Sequence, residues 1–473
     1  MDNNVIVSEL ENIVGEKYVS DTPEITYLYH YDFVTAEPEG KCDIAIMPNS
    51  AEEVQDIIRI ANQYKIPVVP WVSGINFGST ATPRKGGIVV DLRRLNRVLE
   101  VNEDDMYAVV EGGITWADLK GYLATHNHGL KAGITFSPPG TGVVASCLCY
   151  GMFNLGMIGG TGAEFLNGME VVLGSGDLVK VGSCSVSNYW YGRQPLPDLA
   201  GLFIGWEGST GIVTKAAIKL WPILPFNTMM IANSDTADKM IPVLLKLSKA
   251  GLGITDLVVN SYGWFQSGQG THENNAIDAL GTDMPECVSM ISTQAYTEKQ
   301  KEAQNDAIAT ICEEGGLKIF ARVEQDVLNN MLPQQAWGCW NYSRGGGGQW
   351  IGSYCSTRHI LDYYHIARKV AVKHGKIPQF YSRIMFGGHY CVARTNINFN
   401  KNDSEDIDKA RTILKEIHDE VSSIDGVVMY KAPEWAAKHN REKTFPATKE
   451  LIKKIKKVLD PNNIMNPKPG IED

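Results

Sequence analysis

Three glycine-rich segments in the first half of the 473-residue chain have the composition of an anion cradle: Val72-Ser73-Gly74-Ile75-Asn76-Phe77-Gly78-Ser79, Ser137-Pro138-Pro139-Gly140-Thr141-Gly142 and Glu207-Gly208-Ser209-Thr210-Gly211. Glycine lets a backbone approach a bound group closely and aim successive N–H donors at it, which is how a pyrophosphate is held without lysine. A dinucleotide is the guest such loops suit. None of the three is a Gly-x-Gly-x-x-Gly fingerprint or a Walker loop, so the motifs that mark NAD and ATP sites are missing. Singly, each segment reads more readily as a tight turn; their joint occurrence at strand ends is what carries weight.

The elements that must hold these loops are legible around them. Val54, Ile57, Ile58 and Ile60 follow an Asn49-Ser50 cap at helical spacing and predict a helix over 51–64, and residues 66–71 read as a buried strand that feeds the first loop. Two apolar runs at 88–90 and 108–110 flank a polar turn, and Thr115 caps a helix carrying Leu119 and Leu123. Ser175-Gly176-Asp177 turns a hairpin within 168–182, and a long strand runs from Gly211 to Leu220. Proline at 222 and 225 marks a boundary, after which helices are expected over 236–250 and 298–314. Cys147 and Cys149 alternate as on a strand and are assigned to packing, Gly345–Gly348 to a flexible loop, and Lys453–Lys457 to a solvated helix face.

Composition narrows the class. Lys and Arg total 44 against 54 Asp and Glu, and a net charge of −10 argues against a nucleic-acid partner. The hydrophobic fraction of 44% supports buried cores, while the absence of a long apolar window and of a basic, apolar leader predicts a cytoplasmic protein without a membrane span. Nine scattered cysteines with no Cys-x-x-Cys pair read as reduced thiols rather than a zinc site.

Five ordered segments, at 66–78, 86–115, 168–182, 198–214 and 458–470, resemble the vanillyl-alcohol oxidase/p-cresol methylhydroxylase flavoprotein superfamily, the PCMH-type FAD-binding proteins. The resemblance implies an α+β fold. After an N-terminal segment (1–40) it places a PCMH-type FAD-binding domain of two α+β subdomains (41–225), then an α+β cap domain with an antiparallel sheet (226–429), and a C-terminal segment (430–473) that returns to the FAD domain. FAD is the implied cofactor. Its pyrophosphate loop matches Val72, Ser73, Gly74, Ile75, Asn76, Phe77, Gly78 and Ser79; a second contact stretch matches Pro138, Gly140, Thr141, Gly142 and Ser146; and a third, around the adenosine, matches Glu207, Gly208, Gly211, Ile212 and Val213. Where some members tether FAD through a Gly-His pair, this chain has Gly74-Ile75, so that tether is absent.

Two branches compete. The 2-hydroxy-acid dehydrogenases carry a histidine-rich metal motif, but here only His389 of the first motif survives, and Pro433-Glu434-Trp435 replaces the later Glu-His. No metal site is therefore expected. The phenol-oxidising branch carries a Tyr-Arg element that Tyr430-Lys431-Ala432-Pro433 resembles, and a tyrosine hydroxyl beside an ammonium is a reasonable anion site, although lysine lacks the planar fork of arginine. Thr161 falls where phenol oxidases carry an acid near the flavin, and a hydroxyl is no substitute for a carboxylate base. The base would then be His389 or Tyr390, on a strand resembling the one that faces the flavin in relatives. Trp337, Trp340, Tyr342, Trp350 and Tyr354 could line a flat pocket.

The expected function is an FAD-dependent dehydrogenase or oxidase that takes hydride from an alcohol or benzylic carbon of a small aromatic, phenolic or carboxylate substrate. A 2-hydroxy-acid dehydrogenase and a flavoprotein electron-transfer or structural subunit remain open, as do an electron-acceptor protein as partner and a homo-oligomeric state.

Overall fold

Branched apolar residues in short runs build the first sheet of this computed structural model, which describes residues 3–31, 39–75, 80–126, 128–135, 137–263, 285–324, 346–377, 379–430 and 434–467. Its centre is Ile88–Asp91, flanked in parallel by Ile44–Ile46 and Val68–Trp71, with Val19–Ser20 antiparallel at the edge. The Ala51–Tyr64 helix covers it, burying Val54, Ile57, Ile58 and Ala61, and Ser50 Oγ accepts from the Glu53 amide at 3.1 Å to cap it.

The second sheet is antiparallel, with strands Val98–Asn102, Tyr107–Glu111, Gly211–Pro222, Leu166–Leu173 and Leu178–Val181 in that spatial order and Leu130–Ala132 on the far end of the long strand. Thr115 and Asp118 form a reciprocal capping box on the helix Trp116–Thr125, which packs Leu119 and Leu123 against this sheet. Sheet membership changes between Pro222 and Phe226. The third sheet has eight strands, all pairing antiparallel: Lys318–Glu324, Phe226–Ser234, Cys287–Ala295, Ile254–Ser261, Gln379–Met385, Tyr390–Asn400, Gly346–Cys355 and Val427–Tyr430. One face is covered by helices Ala237–Ser248, Glu298–Glu314, Ile360–Lys373 and Ser404–Val421, which bury Leu257, Val259, Phe380, Cys391 and Ala393. The architecture is α+β. Among the described residues no helix is long and apolar enough to cross a membrane.

Three local expectations are corrected. Cys147 lies on the helix Val143–Leu148 and Cys149 just beyond it, because a short apolar run cannot by itself tell strand from buried helix. Gly346, Gly347 and Gly348 are strand residues paired with Asn400, Phe399 and Asn398; a Cβ on Gly347 would lie 2.1 Å from the Phe399 ring, so glycine there serves close packing rather than flexibility. Within the lysine run, Lys456 is buried: its ammonium donates to Ser209 O at 2.7 Å and pairs with Asp460.

Candidate functional site

A cleft opens where the first two sheets meet the third. Its walls include residues 72–75, Thr141, Gly142, Ser146, Glu207, Gly208 and residues 211–213, so all three glycine-rich segments converge there although some 130 positions separate the first from the last. Pro138 and Gly140 stand beside the cleft on the turn closed by the Thr141 amide and hydroxyl, which donate to Pro138 O at 3.0 and 2.8 Å. Asn76, Phe77, Gly78, Ser79 and Lys431 lie outside the described residues, as do Trp337, Trp340 and Tyr342.

The wall has the character a dinucleotide needs. Glu207 and Gly208 both adopt left-handed conformations, with φ of 53° and 77°, and a Cβ on Gly208 would stand 2.4 Å from Pro70 Cγ. One on Gly142 would stand 2.9 Å from Val72 Cγ1. Among the described residues no lysine lines the cleft, and Arg394 is its one cationic side chain, so the loop side of the wall offers an anion backbone donors. FAD therefore fits the residues present. Cys149, assigned from sequence to packing alone, also lines the wall.

The C-terminal segment ties two of these loops together. Asn466, itself left-handed with φ 36°, donates through Nδ2 to Thr80 O at 3.0 Å and to Glu207 O at 2.6 Å. Its amide reaches Val68 O at 2.7 Å, and Ile464 O accepts from the Val68 amide at 2.7 Å. Sequence reading passed over Asn466 and assigned Lys456 to solvent; for the first, an asparagine between Met465 and Pro467 was the available signal, since asparagine tolerates the left-handed region.

Opposite the loops stands the inner face of the eight-stranded sheet. Tyr390, Val392 and Arg394 share that face by strand alternation, whereas Cys391 and Ala393 point to the covering helices. Register aligns Asn260, Tyr381, Arg394, Gly352 and Tyr430 in one row across five strands. Arg394 and Trp350 both line the cleft, and the guanidinium sits 4.3 Å from the Trp350 ring centroid. Arg394 was missed because its strand was read for a metal-ligand remnant and for a base at His389 or Tyr390; its alternation with Tyr390 was the signal. One row along, Arg383 pairs with Asp256 at 2.9 Å, and burial pushes the Asp256 carboxyl up to about 6 despite that guanidinium. Asn260 is 1% exposed, and among the described residues neither polar atom of its side chain has a hydrogen-bond partner.

The other expected residues separate. His389 is exposed on the tight turn Phe386–Gly388 and is not brought to the cleft. Tyr390 is half-buried on the inner face of the sheet, its ring 6.0 Å from that of Tyr354, and is not among the cleft-lining residues. Thr161 is buried, and its hydroxyl donates to Glu164 Oε2 at 2.5 Å. Tyr430 pairs with Gly352 through its strand. Among the described residues no group of three or more His, Cys, Asp or Glu could hold a metal.

Comparison with known proteins agrees with this architecture. Residues 42–182 match the family described as FAD binding domain, and residues 266–469 match FAD linked oxidases, C-terminal domain. The chain is 25% identical to the flavoprotein subunit of 4-cresol dehydrogenase (hydroxylating) from Pseudomonas putida, over 89% of this chain and 86% of that one. It is 24% identical to a mitochondrial D-lactate dehydrogenase (cytochrome) from Arabidopsis thaliana, over 98% and 79%. The solved structure of p-cresol methylhydroxylase with substrate bound superposes with a TM-score of 0.86 at 21% identity, over 99% of this chain and 96% of that one.

Proposed function

Because the chain belongs to the vanillyl-alcohol oxidase/p-cresol methylhydroxylase superfamily of FAD-dependent oxidoreductases, we propose that it takes hydride from a hydroxyl-bearing or benzylic carbon of a small anionic substrate. FAD supplies the hydride acceptor when bound. Residues 72–79 and 138–146 would hold its pyrophosphate through backbone N–H groups, and residues 207–213 its adenosine part, with Asn466 and Lys456 keeping the loops in place.

The observation that carries the substrate reading is Arg394, a guanidinium stacked on Trp350 in the wall of the same cleft and in register with Tyr430. Its planar fork is the group that Lys431 lacks for holding an anion in a fixed orientation. A phenolate of the 4-hydroxybenzylic type is the leading substrate, with Tyr430, Lys431 and Arg394 around its charged end. A 2-hydroxy acid is the second reading, supported by the fit of a guanidinium to a carboxylate and by the similarity to a D-lactate dehydrogenase.

Anaerobic titration of the flavoprotein with both substrate panels, read as bleaching of the flavin absorbance, separates them. Bleaching by phenolic alcohols, weakened in Arg394→Met, supports the first reading. Bleaching by hydroxy acids alone selects the second, and bleaching by neither overturns both.

A further inference from the structure

Two cysteines that stand 36 positions apart in the chain meet in the cap. Register sets Cys355, the last residue of the strand Gly346–Cys355, directly opposite Cys391 on the strand Tyr390–Asn400. Opposed residues of an antiparallel ladder have Cα atoms about 4.5–5.5 Å apart, within the span of about 4.4–6.8 Å that a disulfide bridges. The two Sγ atoms are 3.1 Å apart, and Cys391 Sγ also lies 3.4 Å from Cys355 O, to which it donates. Both side chains lie in the core between the sheet and its covering helices, with Ile351, Ile360 and Ala393.

This end of the ladder also holds the cap against the flavin domain. Tyr354, the neighbour of Cys355, points to the other face of the sheet, where its hydroxyl donates to Tyr150 O at 3.2 Å and its ring meets that of Tyr150 edge-on at 6.0 Å. Tyr150 stands between Cys149 and Gly151, both in the wall of the cleft. Cys355 is 3% exposed and Cys391 0%, which makes Cys355 the sulfur nearer solvent. Burial and the hydrogen bond with Cys355 hold the Cys391 thiol well above its ordinary range, so it stays protonated and is not the sulfur that reacts first.

We propose that Cys355 and Cys391 are a modification site, oxidised by a peroxide to a disulfide that staples the two strands beneath the Tyr354–Tyr150 contact. Cys355 Sγ attacks a peroxide oxygen; the O–O bond breaks, water leaves and the sulfur becomes a sulfenic acid. Cys391 Sγ then attacks Cys355 Sγ, the S–O bond breaks, the S–S bond forms and a second water leaves. The two thiols give up two electrons and two hydrogens, and hydrogen peroxide is reduced to two waters. The staple closes a loop that contains the helix Ile360–Lys373 and the strand Gln379–Met385, so it restricts the unfolded cap more than the folded one. The pair is independent of which substrate the cleft takes.

Two measurements on the full-length holoprotein test this. After treatment with hydrogen peroxide, denaturation in N-ethylmaleimide and proteolysis without reductant, mass spectrometry should find the peptides of Cys355 and Cys391 joined and two hydrogens lighter than their sum. Dithiothreitol should return them as separate peptides. Recovery of both cysteines as maleimide adducts, or their oxidation to separate sulfinic acids, would overturn the proposal. In parallel, the melting temperature of the peroxide-treated wild type should rise by about 5 °C or more and fall back on reduction. Cys391→Ala, which loses the partner sulfur, should show neither the joined peptides nor the rise. An unchanged melting temperature in the joined wild type, or an equal rise in Cys391→Ala, would also overturn it. The peptide mapping needs no variant, so a failure of Cys391→Ala to fold leaves the test decisive.

Discussion

The loop wall of the flavin domain and the inner face of the cap sheet are built by opposite means. The wall works with backbone: left-handed Glu207 and Gly208, the Pro138–Gly142 turn, and a C-terminal asparagine that braces the carbonyls of Thr80 and Glu207. The cap face works with side chains, and each charge it carries has a compensating partner or surface: Arg383 has Asp256, and Arg394 has the Trp350 ring. A backbone cradle depends on the absence of atoms and so is broken by adding one. A side-chain face depends on charges in balance and so is broken by removing one.

The largest expected effect follows from adding an atom to the wall. Gly208→Val puts a β-branched residue at φ 77° with its Cβ 2.4 Å from Pro70, so the purified protein should be colourless, as read from the ratio of flavin to protein absorbance. Retention of a full flavin complement would mean that the third loop is dispensable.

Removing a charge from the cap comes next. Asp256→Ala leaves a buried guanidinium without its acid and should cost about 3–5 kcal/mol in denaturant unfolding. The double variant Asp256→Leu with Arg383→Met should recover most of that loss, whereas an additive further loss would deny that the two form one balanced unit.

Arg394→Met should separate the two regions. Flavin content should stay at wild-type level while binding of an anionic substrate or inhibitor weakens by about 10–100-fold, the range expected for one charged hydrogen-bond partner. A variant that instead loses flavin would place Arg394 in the cradle, against the division drawn here.

The smallest effect concerns the outer layer of the cap, where His418 of the helix Ser404–Val421 contacts Trp435 and His439. Burial, with His439 contributing, holds His418 below the usual histidine range, so the folded state favours its neutral form. Its contribution to stability is therefore intact above about pH 6.5 and is lost as pH falls below that value. The melting temperature should drop more steeply between pH 7 and 5 in the wild type than in His418→Leu.

The cradle was legible in the chain because it is local. Glycine, proline and threonine in short segments state their own backbone geometry, and the Ser50 and Thr115 caps stand where the residue pattern predicts helix starts. The helix 298–314 and the 168–182 hairpin follow from periodicity and turn chemistry in the same way. The cap face was not legible. Asn260, Tyr381, Arg394, Gly352 and Tyr430 come from five strands spread over 170 positions, and no spacing in the sequence announces that they form one row. His389 and Tyr390 are adjacent in the chain, yet a turn leaves the first in solvent and the strand carries the second inside. The glycines at 345–348 read as a loop until strand pairing set Gly347 against the Phe399 ring, where its missing side chain leaves room. By itself the sequence determined the α+β class, the glycine-rich loops and the caps, each set by interactions within a few residues. The tertiary structure alone decided which side chains share the substrate face, because strand register, a long-range property, selects them.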